Sequence, residues 1–264
     1  MNHTEYRKIE ALNSSSFRYL ERSPWHYKQW RDGFIDDKPS EAMNMGIAVH
    51  SAILEPNDFA NDYLCLPDTS MLDSPGKKAA LTKSAKRDLA GDSRLLLSYA
   101  DYQRVINMRE KVLAHPYARY LIESSEHEVT RTWVDTSGAA CKGRFDLYRP
   151  ESSTIADIKT MTDVSDDAFT KYLYNYKLPR QAAFYLDGSD SSSFIWILVE
   201  NVHPYSIRVI QCQQYMLEIG RKSYKPLAEL YQKCTLSGNW PSFSSDIQTE
   251  WYPASSSSLV EASI

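Results

Sequence analysis

The sequence predicts an α/β (α+β) fold with an N-terminal helical part, and two patterns support this prediction. Up to residue 114 the apolar residues recur at helical spacing, whereas from residue 129 they alternate as they do in strands. Residues 194–200 form an almost wholly apolar run, which is typical of a buried central strand. No boundary between these parts is sharp enough to define two domains. We therefore predict one domain over residues 1–252 and a polar tail over residues 253–264.

The first predicted helical segment covers residues 12–30. Asn13, Ser14 or Ser16 is expected to cap it, because such side chains accept hydrogen bonds from free backbone N–H groups. Pro24 is expected near a helix boundary, since proline removes a backbone donor.

The remaining elements follow from periodicity and from turn residues. Residues 68–91 are rich in Lys, Ser, Pro and Gly, and we expect them to be mobile or ligand-dependent. Further helices are predicted over residues 41–54, 98–114, 167–176, 180–186 and 214–231. Strands are predicted over residues 129–134, 140–148, 154–159, 194–200 and 205–212.

Composition excludes several classes of protein. The chain has 264 residues and a mean hydropathy of −0.49, and it contains no apolar run of about 18 residues that could cross a membrane. The first residues lack an apolar signal core, so we expect a cytoplasmic protein. The four cysteines are far apart and form no CxxC pair, which argues against a zinc ribbon or an iron–sulfur cluster and favours reduced thiols.

The charge is unevenly distributed along the chain. A net charge of −4 excludes a globally basic nucleic-acid binder. Residues 76–122 carry ten Lys/Arg against four Asp/Glu, whereas residues 151–200 carry four against eight. One stretch can attract a polyanion and the other can hold cations, as a metal-dependent enzyme acting on nucleic acid requires.

The sharpest cluster of candidate residues lies on the predicted strands of the centre. Asp157 and Lys159 share one face of a strand because alternate residues do so, and Asp146 lies on the neighbouring strand. We expect the three side chains to converge at a sheet edge, with Phe145 and Leu147 turned inward. Carboxylates suit Mg²⁺, and a lysine can stabilise charge that develops on phosphate. The alternative is a solvated strand face with a simple ion pair.

Weaker candidates surround this cluster. Gln181 and Tyr185 are four apart on a predicted helix and share a face, either to bind phosphate and water or merely as an amphipathic helix. His50, four residues after Gly46, is either a metal ligand or a hydrogen-bonded core histidine. Glu128, expected to open the first strand, either reaches a metal or is a surface acid.

Basic residues in the N-terminal half are candidates for contacts with DNA phosphates. Arg18 and Arg22 are four apart on the first helical segment and could bind a terminal phosphate or be plain surface charges. A denser basic run could either hold DNA or simply be solvated: Lys77, Lys78, Lys83, Lys86 and Arg87.

The order of these motifs resembles a known family. In this sequence they are Leu12-x-Ser14-x-x-Phe17, Ser23-Pro24-x-x-Tyr27, Gly46-x-x-x-His50, Glu128, Gly143-Arg-x-Asp146, Asp157-x-Lys159-Thr160 and Gln181-x-x-x-Tyr185. The set resembles the RecE-like phage exonucleases, the family of the exonuclease VIII C-terminal domain, within the PD-(D/E)xK nucleases. The resemblance runs from about residue 12 to residue 252 and implies a central mixed sheet flanked by helices.

The resemblance also implies roles for individual residues. His50, Asp146, Asp157 and the Ile158 carbonyl would hold Mg²⁺, with Mn²⁺ as a substitute, and Lys159 would be the catalytic lysine. The supporting site residues would be Gln181, Tyr185 and Glu128.

The activity implied by the resemblance is degradation of linear double-stranded DNA from its 5′ ends. It would release 5′-mononucleotides and leave a 3′ single strand for recombination by a RecT-like annealing protein. A ring-shaped homo-oligomer, a tetramer rather than a trimer, is implied as well. The alternatives are an endonuclease of the same fold and a catalytically inactive DNA-binding subunit. No residue of this chain matches the family's terminal-phosphate residue.

Overall fold

The computed structural model describes residues 3–36, 38–89 and 91–243. The predicted tail, residues 253–264, lies outside these ranges. Among the described helices, none combines the length and the apolar character that a bilayer crossing needs. All four cysteines are free, as predicted, and three of them are buried.

The helices of the N-terminal half precede the main sheet, and the others are interleaved with its later strands or follow it. They are α1 (His3–Lys8), α2 (Phe17–Arg22), α3 (Pro24–Arg31), α4 (Glu41–Leu54), α5 (Pro56–Asp62), α6 (Pro75–Asp88), α7 (Tyr99–Ala114), α8 (Pro116–Glu123), α9 (Asp166–Asn175), α10 (Leu178–Asp187) and α11 (Gln214–Ser237). Short 3-10 turns lie at Ser14–Ser16 and Pro150–Ser152.

Five strands form a mixed sheet in the order β3-β4-β5-β6-β7. The strands β5 and β6 run parallel, and the other neighbours are antiparallel. A separate parallel pair, β1 and β2, joins residues 63–65 to residues 95–97. The strand bounds are β1 (Tyr63–Cys65), β2 (Leu95–Leu97), β3 (Glu126–Val134), β4 (Ala140–Arg149), β5 (Thr154–Met161), β6 (Ser193–Glu200) and β7 (Ile207–Gln211).

Each face of the five-stranded sheet packs against its own set of helices. Trp196 on β6 and Phe184 on α10 belong to one core, which we call the α10 face. Ile197 on β6 and Val49 on α4 belong to the other, which we call the α4 face. Neighbouring residues of β6 alternate between the two cores, as the two-residue period of a strand requires. The apolar run predicted as a central strand is therefore buried on both sides.

The predicted helical segment over residues 12–30 is only partly correct. Asn13 caps the 3-10 turn in a capping box, and Ser23 ends α2 before Pro24 begins α3. Leu12 is not helical, because its backbone pairs with β4 through bonds to Ala140 and Lys142. Pairing with a strand more than 100 residues away leaves no periodic signal in the local sequence.

Residues 68–91 contain a helix that the sequence did not predict. The helix α6 begins at Pro75, where the Ser74 side chain accepts a hydrogen bond from the backbone of Lys77. None of its residues is buried. A helix without an apolar stripe shows no hydrophobic period, which explains why the composition suggested a mobile segment.

Close packing of α11 against α10 depends on Gly220. A Cβ at this position would lie 2.0 Å from the Pro179 carbonyl oxygen and 2.8 Å from the Cβ of Ala183. We expect Gly220→Ala to lower the free energy of unfolding by about 1–3 kcal/mol, since backbone must move to admit the methyl group. Urea unfolding measures this loss, with Glu229→Ala on the exposed side of α11 as the control. Equal midpoints for the two variants would contradict the close approach.

Candidate active site

The site lies where β4 and β5 separate. The two strands pair from Leu147 to Arg149 on β4, and the same edge of β4 is bonded to Leu12 at its other end. Between these two pairings, the backbone N–H and carbonyl groups of Ile158 on β5 contact side chains. The Ile158 N–H donates to Asp146 Oδ2 at 2.8 Å, and His50 Nε2 lies 2.7 Å from the Ile158 carbonyl oxygen. We call this opening between β4 and β5 the fork. The predicted location at a sheet edge is wrong, because the fork lies between two inner strands.

The strand β4 changes faces at Asp146. Phe145 and Leu147 are both fully buried, as predicted, but Phe145 belongs to the α10 face and Leu147 to the α4 face. In a regular strand, residues two apart lie on the same face. The change turns the Asp146 side chain toward the β4–β5 fork.

Glu128 lies opposite this irregularity on β3. It has a left-handed backbone conformation, with φ 53°, inside a strand that begins at Glu126 rather than at Glu128. A bulky residue adopts this conformation rarely, and such backbone strain is concentrated at functional sites. The register places Glu128 between the pairs His127–Leu147 and Val129–Phe145, which brings it across from Asp146.

His50, Glu128 and Asp146 together form a group of metal-ligand type. One ligand atom from each lies within 4.8 Å of the others. The His50 Nδ1 atom is 3.3 Å from Asp146 Oδ2, so the imidazole bridges the carboxylate and the Ile158 carbonyl. His50 reaches the fork because α4 approaches β5 at Gly46, where a Cβ would be 3.4 Å from Thr160 Oγ1.

Asp157 and Lys159 form a second cluster beside this group. Lys159 Nζ lies 2.6 Å from Asp157 Oδ2, and Gln181 Nε2 donates to Asp157 Oδ1 at 2.8 Å. The Asp157 side chain is 3% exposed, whereas that of Lys159 is 20% exposed. Lys159 is thus held by a buried carboxylate and still reaches solvent.

The predicted helix face of Gln181 and Tyr185 is confirmed on α10. Tyr185 is buried, and its hydroxyl interacts with Gln181. Its ring leaves no space beside β4, since a Cβ at Gly143 would lie 3.1 Å from Tyr185 and 3.0 Å from Phe145. Gly143 is therefore required for Tyr185 to approach the sheet.

Burial and neighbouring charges shift the pKa values of four side chains at the site. The pKa rises for Asp146, Glu128 and Lys159, and it falls for His50. Burial, reinforced by Asp157, raises the pKa of Asp146 to about 8. Burial and Asp146 raise the pKa of Glu128. Burial and the charge of Lys159 lower the pKa of His50, which keeps the imidazole neutral. Burial acts to lower the pKa of Lys159, but Asp157 and Asp146 outweigh it, so the net shift is upward.

These residues fit a divalent cation. A neutral imidazole and two carboxylates offer ligand atoms within 4.8 Å of one another, and carboxylate oxygens are the ligands that Mg²⁺ prefers. The raised carboxyl pKa values show that burial disfavours the anionic forms, which a bound cation would stabilise. His50, Glu128 and Asp146 would hold the ion. Asp157 lies outside this group, so its assignment as a ligand stays a prediction, as does that of the Ile158 carbonyl.

The sequence analysis gave no role to Arg144. Its Nε donates to Glu128 in a very short ion pair, and its Nη2 lies 3.7 Å from Glu55 Oε1. The side chain is mostly buried, so its charge partly balances the acids around the fork. The position of Arg144 between Gly143 and Asp146 in the motif could have indicated a role at the site.

A second feature missed by the sequence analysis is a cationic cavity near the fork. The cavity has a volume of about 790 Å³ and lies between α1, α3 and α11. Lys142, 4% exposed, donates from its Nζ to the carbonyl oxygens of Tyr6 and Ile9. Three further cations and a single acid line the cavity: Arg7, Lys8, Arg31 and Glu10.

This cavity adjoins the site through Tyr6. Burial raises the pKa of Tyr6 to about 12, and the charge of Arg144 opposes the shift. Tyr6 also acts on the pKa of Tyr185. The Tyr6 ring centroid lies 4.5 Å from Lys142 Nζ, and Lys142 is two residues before Arg144 on β4.

The predicted basic contacts lie on two helices. Arg18 and Arg22 are on α2, where Arg18 Nη2 donates to the Tyr19 hydroxyl at 2.9 Å. Their role in phosphate binding stays a prediction, as does that of the basic run carried by α6: Lys77, Lys78, Lys83, Lys86 and Arg87.

Fold and site together define the class of protein. The mixed sheet carries Asp146 on β4 and both Asp157 and Lys159 on the neighbouring strand β5, and the match to a PDDEXK-like family model confirms the predicted fold. The chain belongs to the family described as a PDDEXK-like domain of unknown function, DUF3799, whose model matches residues 13–250. No protein of curated function matches the chain.

One solved structure shares the fold of this chain over almost its whole length. A candidate exonuclease from Eubacterium rectale is similar with a TM-score of 0.60 and 16% identity, over 99% of this chain and 96% of that one. A phage-related exonuclease from Haemophilus somnus has a TM-score of 0.35 and 14% identity, over 63% of this chain and 90% of that one. The second likeness is too distant to support an argument.

Proposed function

We propose that this protein is a Mg²⁺-dependent exonuclease that degrades linear double-stranded DNA from its 5′ ends. The observation that carries the proposal is the fork itself, where His50, Glu128 and Asp146 lie beside the Asp157–Lys159 pair. The candidate exonuclease from Eubacterium rectale, which shares the fold over nearly its whole length, supports the same proposal. The resemblance of the motif order to that of the RecE-like exonucleases is what supports the 5′-to-3′ direction.

Hydrolysis requires a water to add to phosphorus while the 3′ oxygen of the terminal nucleotide leaves. A bound divalent cation supplies Lewis-acid stabilisation of charge on the phosphoryl oxygens. Lys159 is the residue of this chain best placed to contact the phosphate, because its ammonium group is partly exposed and fixed by Asp157. Its raised pKa keeps it protonated, so it donates hydrogen bonds rather than removing a proton.

Gln181 and Arg144 position the groups that act. Gln181 donates to Asp157 and so fixes the carboxylate that holds Lys159. Arg144 holds Glu128 beside Asp146 and keeps the acids from repelling each other. Both residues are positioning residues rather than catalytic ones.

The test of hydrolysis compares linear duplex DNA with a covalently closed circle of the same sequence. With Mg²⁺, only the linear form should be degraded, and EDTA should stop the reaction. Cutting of the circle would instead show an endonuclease. If no divalent metal supports cleavage, the result would favour a catalytically inactive DNA-binding subunit.

The cationic cavity supports recognition of a 5′-terminal phosphate. Cleavage on the 3′-oxygen side leaves each new phosphate on the shortened strand, so every cycle would present a 5′-phosphate to the enzyme. Lys142 is buried there, and its Nζ is bonded to two carbonyl oxygens rather than to a carboxylate among the described residues, so a phosphate would balance its charge.

A duplex with 5′-phosphate ends should be degraded faster than the same duplex with 5′-hydroxyl ends. We expect at least about a tenfold difference in kcat/KM for the first nucleotide, since charge-assisted hydrogen bonds are worth about 1.5–3 kcal/mol. Single-turnover kinetics on the two substrates measure it. Equal rates on the two substrates would show that the cavity does not bind the 5′-phosphate.

The proposed function also includes recombination, because the reaction would leave a 3′ single strand as its product. A 3′ single strand is the substrate on which a RecT-like annealing protein would act. A ring-shaped homo-oligomer, a tetramer in preference to a trimer, would keep the enzyme on one DNA molecule. Sedimentation of the purified protein tests the oligomeric state, and a monomer would contradict it.

A further inference from the structure

The segment from Lys171 to Lys177 covers the C-terminal half of α9 and the two residues before α10, and it has no role in the function proposed so far. It reads Lys-Tyr-Leu-Tyr-Asn-Tyr-Lys, so three tyrosines lie between two lysines. Leu173 is buried, whereas both lysines are exposed. Aromatic rings interleaved with cations are typical of surfaces that bind single-stranded nucleic acid.

Two of the tyrosines form one aromatic surface. Tyr172 and Tyr176 are four residues apart, and their ring centroids lie 4.2 Å from each other with an interplanar angle of 35°. Tyr172 is partly buried, but Tyr176 is 66% exposed. We call this pair the tyrosine platform. Tyr174 lies on the same segment and is 57% exposed.

The platform lies at the catalytic lysine. Burial raises the pKa of Tyr172, while the charge of Lys159 acts to lower it and that of Asp157 to raise it. The same tyrosine acts on the pKa of Lys159. The packing agrees, because the ring of Phe169, three residues before Tyr172 on α9, lies 5.9 Å from that of Trp196, and Trp196 pairs with Asp157 across the sheet.

The backbone fixes the platform relative to the site. Lys177 has a left-handed conformation, with φ 54°, and directly precedes α10. Gln181, one turn into α10, holds Asp157. Leu173 and Phe169 anchor α9 in the α10 face. The two rings therefore lie at a fixed place beside the phosphate-binding side chain.

We infer that the tyrosine platform stacks against the terminal nucleobase of the strand that is cleaved, an inference that rests on the proposed nuclease function. A nucleobase next to the phosphate held by Lys159 meets the exposed face of Tyr176. Lys171 and Lys177 supply cations for the neighbouring phosphates. Stacking needs no particular base, so the platform would serve every cycle of degradation.

The test uses a linear duplex with 2-aminopurine as its 5′-terminal base and phosphorothioate linkages at that end to resist cleavage. Fluorescence of 2-aminopurine falls when the base stacks on an aromatic ring. We expect quenching by the wild-type protein and by Tyr176→Phe. Tyr176→Ala should show no quenching and bind about tenfold more weakly. Tyr174→Ala should behave as the wild type.

The outcomes separate this inference from the proposed function. If Tyr176→Ala binds and quenches like the wild type, the platform does not stack on the base. If the wild type binds DNA without quenching, the inference also fails. If the wild type neither binds nor cleaves DNA, the proposed function itself fails. Circular dichroism of Tyr176→Ala, in which an exposed ring is removed, establishes that the variant is folded.

Discussion

Replacement of Lys159 by methionine should lower kcat for DNA cleavage by about 10²–10³-fold, the usual loss when one donor to a developing oxyanion is removed. Methionine keeps most of the length of the side chain but removes the ammonium group. Asp157 then stays buried and loses its ion pair, while it keeps the hydrogen bond from Gln181. Single-turnover cleavage of linear duplex DNA measures the loss, and thermal unfolding shows whether the variant is folded.

The same substitution should also destabilise the protein. Removal of one partner of a buried ion pair costs about 3–5 kcal/mol, because the other charge stays uncompensated. Lys222→Met, which changes an exposed lysine of α11, is the matched control and should keep both activity and stability. A folded Lys159→Met protein with the kcat of the wild type would overturn the assignment of Lys159.

Asp146→Asn should abolish specific binding of Mg²⁺ or Mn²⁺. The carboxylate lies between His50 and the Ile158 N–H, so the amide would keep the shape of the site but remove its charge. Loss of a supporting group near a metal already costs about 10–100-fold in affinity, and loss of a ligand should cost at least the upper value. Isothermal titration calorimetry measures this, with the exposed Asp190→Asn as the control.

Metal binding to the wild-type protein should strengthen as the pH rises toward 8. Burial raises the pKa of Asp146 to about 8, so below that pH a proton competes with the metal for the carboxylate. Affinity should fall by nearly tenfold for each pH unit below this value and level off above it. A metal affinity that does not change between pH 6 and pH 8 would contradict the raised pKa.

The sequence was most informative where local patterns determine local structure. The helix expected over residues 41–54 begins and ends at those residues, since Ser40 caps it and Pro56 follows it. The strands of the central hairpin and of β5 and β6 were placed to within a few residues because their apolar residues alternate or run continuously. Asp146, Asp157 and Lys159 were identified from spacing alone, and the structure brings them together.

The fork between β4 and β5 could not be predicted, because it depends on long-range pairing. The face change at Asp146 and the left-handed conformation of Glu128 break the regular strand period on which the prediction rested. Lys142 holds the N-terminal residues through carbonyls more than 130 positions away. Neither the irregular strands nor the hydrogen bonds of Lys142 leave a pattern within one segment of sequence.

The measurement that tests the central claim most directly is digestion of a linear duplex labelled at either the 5′ or the 3′ end, with Mg²⁺ and with EDTA. The account predicts early release of the 5′ label as mononucleotide, only with metal, and retention of the 3′ label until late. First release of the 3′ label, or equal release with EDTA, would contradict a metal-dependent 5′-to-3′ exonuclease built on the β4–β5 fork.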